Sequence, residues 1–222
     1  GSGLVGSEMC IRDRLGASAL MACTSPSFGN QTYSAGKEYL VLQPPVQSDA
    51  NKIEVIAFFA YTCPHCLQFE PVLDEWAKNL PADVVLRRCP VAWQPKYFPF
   101  TETYFALEAL GLLDKLSMPF FESVIYQTHT YDFNNAEADI LDFMTKNGVD
   151  AEKWKSAIRS FGVKNKNRVA FQTWQTYQID STPMVGIGGR FITGPHMVGS
   201  RNAMPAALNW MIDQIRQERK KA

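Results

Sequence analysis

Cys63-Pro64-His65-Cys66 stands directly after an apolar run at 53–59 and directly before a helical pattern at 67–80. This juxtaposition constrains the fold more than any other feature, because it asks for a strand that delivers two thiols to the mouth of a helix. Cysteines separated by two residues at a helix start can close into a disulfide. The first of them lies where unpaired backbone N–H groups and the positive helix end favour a thiolate. A thiolate is both nucleophile and leaving group in disulfide exchange. Pro64 fits the first helical turn, where its missing N–H costs nothing, and His65 can set an imidazole beside the sulfur. Leu67, Phe69, Val72, Leu73 and Trp76 give the helix an apolar face that turns Cys66 inward and leaves Cys63 at the exposed mouth. Cys63 is then the attacked sulfur and Cys66 the resolving one. Pro71 falls two turns in and predicts a kink.

Two other uses of such a pair are weaker. A tetrahedral zinc site needs four ligands, and the chain has no second C-x-x-C and no pair of histidines at finger spacing. A purely structural disulfide closing so short a loop would constrain little of the unfolded chain. Far along the sequence, Ser181-Thr182-Pro183 leads into an apolar run, then Gly188-Gly189, then a second run to Thr193. This reads as a hairpin whose turn needs positive φ, entered through a proline. Taken alone, Pro183 is an ordinary trans proline, since only about 5–6 % of X–Pro bonds in folded proteins are cis.

Through FFAYTCPHCLQFEPVL and STPMVGIGGRFITGP the chain resembles the DsbA-like thiol-disulfide oxidoreductases of the thioredoxin superfamily, over about residues 38 to 222. The resemblance implies an α/β protein, a thioredoxin fold with an inserted helical domain. It implies a cis bond at Pro183, with Thr182 and Pro183 facing the active-site disulfide and binding substrate backbone. Pro64 and His65 tune the thiol, and Glu70 matches a buried acid that helps move protons at Cys66. One position departs from the family pattern: Ala57 stands where many members carry an acid, and Glu54, three residues earlier, points to the opposite strand face. The implied activity is that of a dithiol oxidase, donating the Cys63-Cys66 disulfide to exported, folding proteins. Its implied partner is a DsbB-like, quinone-linked membrane oxidase, and it would act as a monomer with no cofactor and no metal. C-P-H-C favours this oxidant over a reducing protein of C-G-P-C type. A reductase or isomerase of the same fold, and a peptide-binding chaperone, are the alternatives.

Composition excludes other classes. Of 222 residues, 22 are basic and 22 acidic, so no basic surplus supports nucleic-acid binding. No stretch of about 18 apolar residues follows the N-terminus, so none reads as a membrane span. Residues 1–14 read as a cloning or reading-frame scar. Leu20-Met21-Ala22-Cys23 resembles a lipobox, in which the cysteine is acylated; a plain export signal is the alternative. A chance match is the third reading. The family resemblance implies the periplasm, with Cys23 as a candidate lipid anchor and 24–37 as a polar tether. Of the five cysteines, Cys10 falls in the scar and Cys89 in a strand at 84–91, where it reads as a small buried hydrophobe.

The expected organisation is a leader or tether at 1–37, an N-terminal thioredoxin segment at 38–98, a helical insertion at 99–165 and a C-terminal thioredoxin segment at 166–222. Helices are predicted at 100–115, 119–127, 136–147, 151–161, 164–177 and 202–219, with Gly148 as a stop and Asp150 as an N-cap. His129 reads as a surface residue, and His196 follows the hairpin in a turn near the active face without a catalytic role. Trp93, Tyr97, Phe98 and Phe100 read mainly as core, and secondarily as an apolar groove for peptides.

Overall fold

A computed structural model describes residues 32–49 and 51–221. The scar-like start, Cys10, Cys23 with its lipobox-like surroundings and the tether up to residue 31 lie outside them. Five strands form one sheet: β1 (Leu40–Val41), β2 (Ile53–Phe59), β3 (Val84–Pro90), β4 (Met184–Ile187) and β5 (Phe191–Thr193), in the order β1-β5-β4-β2-β3. β2 and β3 run parallel and are joined by α1 (Pro64–Ala77), as a parallel pair requires a crossover. The other neighbours are antiparallel.

β2 is central and apolar because both of its faces are covered. Val55 and Ala57 belong to a core shared with Phe69 and Leu73 of α1 and with Leu208 and Met211 of α7 (Met204–Lys221). Ile56 and Phe58 join the opposite core with Cys89, Tyr177 and the helices that follow β3. Those helices are α2 (Phe98–Ala109), α3 (Leu113–Ile125), α4 (Ala136–Lys146), α5 (Ala151–Arg159) and α6 (Phe161–Thr176). The α/β fold with a helical insertion between two halves of a thioredoxin pattern is therefore present. The described residues from Tyr33 onward form one compact unit. The expected boundary between 165 and 166 falls inside α6, so that helix serves both the insertion and the thioredoxin half that follows it.

Local signals placed most ends well. Asp150 caps α5 by accepting from the Lys153 N–H at 2.8 Å. Gly148, at φ +84°, ends α4. Gly188 and Gly189, at φ +53° and +66°, make the β4–β5 turn. One division is corrected. The helix expected at 100–115 ends at Ala109, and the next begins at Leu113 and runs straight through Pro119. Gly111 at φ +67° makes the break, with the N–H groups of Gly111 and Leu112 closing on the carbonyls of Glu108 and Leu107. A glycine in the left-handed region ends a helix more decisively than a proline whose lost hydrogen bond the packing of Phe120 and Phe121 outweighs. α1 likewise continues past Pro71 to Ala77 as a single helix. α6 begins three residues earlier than expected because Ser160 accepts from the Val163 N–H at 3.2 Å.

Candidate active site

The end of β2 hands the chain through Ala60 and Tyr61, both buried, to Cys63. Cys63 is the N-cap of α1, with extended backbone at φ −108°, ψ 107°, and Pro64 opens the helix. Its Sγ accepts from the backbone N–H of Cys66 at 3.2 Å, so the sulfur takes the place of a capping oxygen. Both cysteines are free thiols, which makes this the dithiol form. Cys63 is half-buried and Cys66 buried, as the helical face predicted.

The two sulfurs are driven apart in acidity. Hydrogen bonding from the Cys66 thiol, helped by Thr182 and by the backbone N–H groups of Cys66 and His65, outweighs burial and lowers Cys63 to about 6. Burial first, and the proximity of Cys63 second, push Cys66 far up. At neutral pH the pair therefore holds one thiolate and one thiol, with the charge on the exposed member.

The Thr182-Pro183 bond is cis, and the Cys63 thiol lies 3.4 Å from the Thr182 carbonyl oxygen. Sequence elements 119 residues apart thus meet at the sulfur. Gly194 allows the close approach behind them: a Cβ there would lie 2.9 Å from the Pro183 carbonyl oxygen and 2.7 Å from Met184 Sδ. His65 is exposed at the mouth, and with Thr182 and Pro183 it lines a cavity of about 300 Å³ that also takes in Gln68, His196 and Arg201. His196 therefore reaches the active face as expected.

Beneath the pair, Glu70 is buried at 6 % exposure, the one carboxylate among the buried side chains described. Burial raises its pKa, against the opposing pull of Arg88, whose Nε sits 2.7 Å from Oε2. Arg88 also binds Asp74. Glu70, Cys66, Ala57 and Pro183 line one small enclosed void. Glu54 takes no part; it pairs with Arg87 at 2.7 Å on the other face of β2, as strand alternation requires. The small Ala57 lies in register with Arg88 and offers it no carboxylate, so both acids on the arginine, Glu70 and Asp74, come from α1.

Arg88 was missed in the sequence. The signal was there, since Arg87 and Arg88 are adjacent in an otherwise apolar strand and must point to opposite faces, each needing a partner. Cys89 is fully buried, as expected; its Sγ lies 3.5 Å from the Ala170 carbonyl oxygen, and burial pushes it up to about 12. His129 is corrected from a surface residue to a half-buried one, hydrogen-bonded to the Asp139 carbonyl at 2.9 Å and packed on Tyr131. Phe100 is core. Phe98 lines a separate cavity of about 340 Å³ with Phe171 and Trp174, and Trp93 lies edge-on to Trp174. Among the described residues no cluster of three or more His, Cys, Asp or Glu side chains is arranged to hold a metal ion.

Comparison with known proteins yields a consistent set of relatives. The family model described as Thioredoxin matches residues 47–204. The thiol:disulfide interchange protein DsbA of Bordetella parapertussis is 35 % identical over 209 residues, covering 93 % of this chain and 97 % of its own. That of Burkholderia cepacia is 31 % identical over 207 residues, covering 92 % and 94 %. Among solved structures, Pseudomonas aeruginosa DsbA superposes with a TM-score of 0.78 at 30 % identity, covering 85 % of this chain and 97 % of that one. The oxidoreductase NmDsbA1 of Neisseria meningitidis superposes with a TM-score of 0.74 at 27 % identity, covering 84 % and 96 %.

Proposed function

The chain belongs to the DsbA family of thioredoxin-fold thiol-disulfide interchange proteins, and from that membership we propose that Cys63 and Cys66 are its redox pair and that Thr182 and Pro183 receive the substrate backbone. The protein is a thiol-disulfide oxidoreductase that acts as a dithiol oxidase. The observation that carries the assignment of residues is geometric: Cys63 Sγ accepts from the Cys66 N–H at 3.2 Å at the mouth of α1 and lies 3.4 Å from the Thr182 carbonyl oxygen beside the cis Pro183 bond, with Cys66 buried behind it.

The working cycle starts from the Cys63-Cys66 disulfide. A substrate thiolate attacks Cys63 Sγ, the Cys63–Cys66 bond breaks, and the released electron pair goes to Cys66. Cys66 takes a proton as it becomes a buried thiol; Glu70, the buried carboxyl beneath the pair whose pKa burial raises against the pull of Arg88, is the candidate group to assist that transfer. A second substrate thiolate then attacks the substrate sulfur of the mixed disulfide, and Cys63 leaves as a thiolate. Two substrate thiols are oxidised and the protein's disulfide is reduced. Cys63 leaves well because its anion is stabilised; each tenfold gain in acidity is worth about 1.4 kcal/mol.

The substrates are reduced proteins. In this reading they are exported polypeptides met in the periplasm, the protein works as a monomer, and a DsbB-like, quinone-linked membrane oxidase restores the disulfide. Lipidation at Cys23 would hold the domain at the membrane. The test is trapping. Cys63→Ser should abolish oxidation of a dithiol peptide, and Cys66→Ser should accumulate a mixed disulfide through Cys63. Trapping through Cys66 or Cys89 in place of Cys63 contradicts the assignment.

A further inference from the structure

The cavity beside Cys63 is charged in one sense only. His65, Gln68, Thr182, Pro183, His196 and Arg201 line it, and no aspartate or glutamate does, in a chain with equal numbers of acids and bases. Arg201 is exposed, and its side-chain bond runs to the neutral amide of Gln68, Nη1 to Oε1 at 2.8 Å. Arg87, Arg88, Arg190 and Arg216 each hold a carboxylate. The Arg201 guanidinium is left with a charge and further N–H donors directed at no acid among the described residues, and a planar donor fork of this kind fits a carboxylate. His65 and His196, two of the chain's three histidines, add ring N–H donors in either protonation state. The cavity's position ties it to the reaction, because Thr182 is both its lining and the neighbour of Cys63 Sγ at 3.4 Å.

We propose that this cavity is a subsite for an acidic side chain carried by the substrate segment next to its reacting cysteine, with Arg201 as the main determinant and His196 and His65 as supporting donors. The inference rests on the reading of Cys63 as the attacked sulfur. A substrate lying along Thr182 and Pro183 places a flanking side chain in this cavity, where a carboxylate is attracted and a lysine repelled. The effect acts on encounter and on the mixed-disulfide geometry.

The test uses oxidised protein and paired single-cysteine peptides that differ only in Glu or Gln one to three residues from the cysteine. The second-order rate of attack is divided by the same peptide's rate with the uncharged bis(2-hydroxyethyl) disulfide, which removes the effect of the acid on the peptide thiol itself. The expected Glu/Gln ratio is about 5 at low salt, falling toward one at about 1 M salt, where screening extends to about 3 Å. R201Q should at least halve the ratio, R201K should retain most of it, and the H196Q/R201Q pair should bring it to about one. A ratio of one in the unsubstituted protein, or a ratio unmoved by R201Q, overturns the proposal. If neither peptide reacts at Cys63 while both react with bis(2-hydroxyethyl) disulfide, the reading beneath it falls as well.

Discussion

A sulfur at a helix N-cap receives what an aspartate would receive there: a backbone N–H, the positive end of the peptide dipoles and partial access to water. For Cys63 the hydrogen bond from the Cys66 thiol contributes most and the capping N–H groups add to it, bringing the pKa to about 6, while Cys66, three residues on and buried, moves the other way. The rate of Cys63 alkylation, followed against pH, should therefore reach its plateau by about pH 7 and fall tenfold for each pH step below about 6. A midpoint near the ordinary thiol value would contradict the capping geometry. Most of this was legible from the motif, because every contributor except Thr182 lies within three residues. The partners of Arg88 and Arg201 were not, since Glu70 and Gln68 lie 18 and 133 residues away and meet them only in the packed fold.

At the scale of elements, α1 and β3 are held together by an ion pair that carries a risk. Glu70 is buried, and removing its partner leaves a desolvated charge, typically a loss of about 3–5 kcal/mol. Arg88→Met should lower stability by that order at neutral pH in denaturant titrations. Adding Glu70→Gln should recover much of the loss, whereas equal losses in the single and double variants would show that the pair does not interact. The approach of β5 to the Pro183 loop depends on Gly194 in the same way. Gly194→Ala must displace the Pro183 carbonyl or Met184, and should slow disulfide exchange with a peptide thiol about tenfold or more; an unchanged rate would contradict this. The hairpin itself was readable from paired glycines flanked by apolar runs. The break at Gly111 is not legible in the same way, because a glycine's turn conformation depends on the closing hydrogen bond between Leu112 and Leu107, which sequence spacing does not display.

For the whole molecule, the acidity of Cys63 becomes a direction of electron flow. Its folded value lies below that of an unfolded thiol, 9.0 falling to about 6, so the thiolate adds stability to the dithiol form. That stability is fully present above about pH 9 and is lost as pH falls through about 6. In between it changes by up to about 1.4 kcal/mol per pH step, less the screening that water provides at a half-exposed sulfur. The melting temperature of the dithiol form should thus exceed that of the disulfide form at pH 8, and the gap should narrow toward pH 5. A protein more stable reduced than oxidised passes its disulfide on. The measurement that tests this most directly is the Cys63-Cys66 equilibrium against glutathione buffers, read by thiol alkylation. A potential well above the glutathione couple, with the dithiol form dominant even in oxidising mixtures, is the predicted result; a disulfide that persists in strongly reducing glutathione would contradict it and make the protein a reductase.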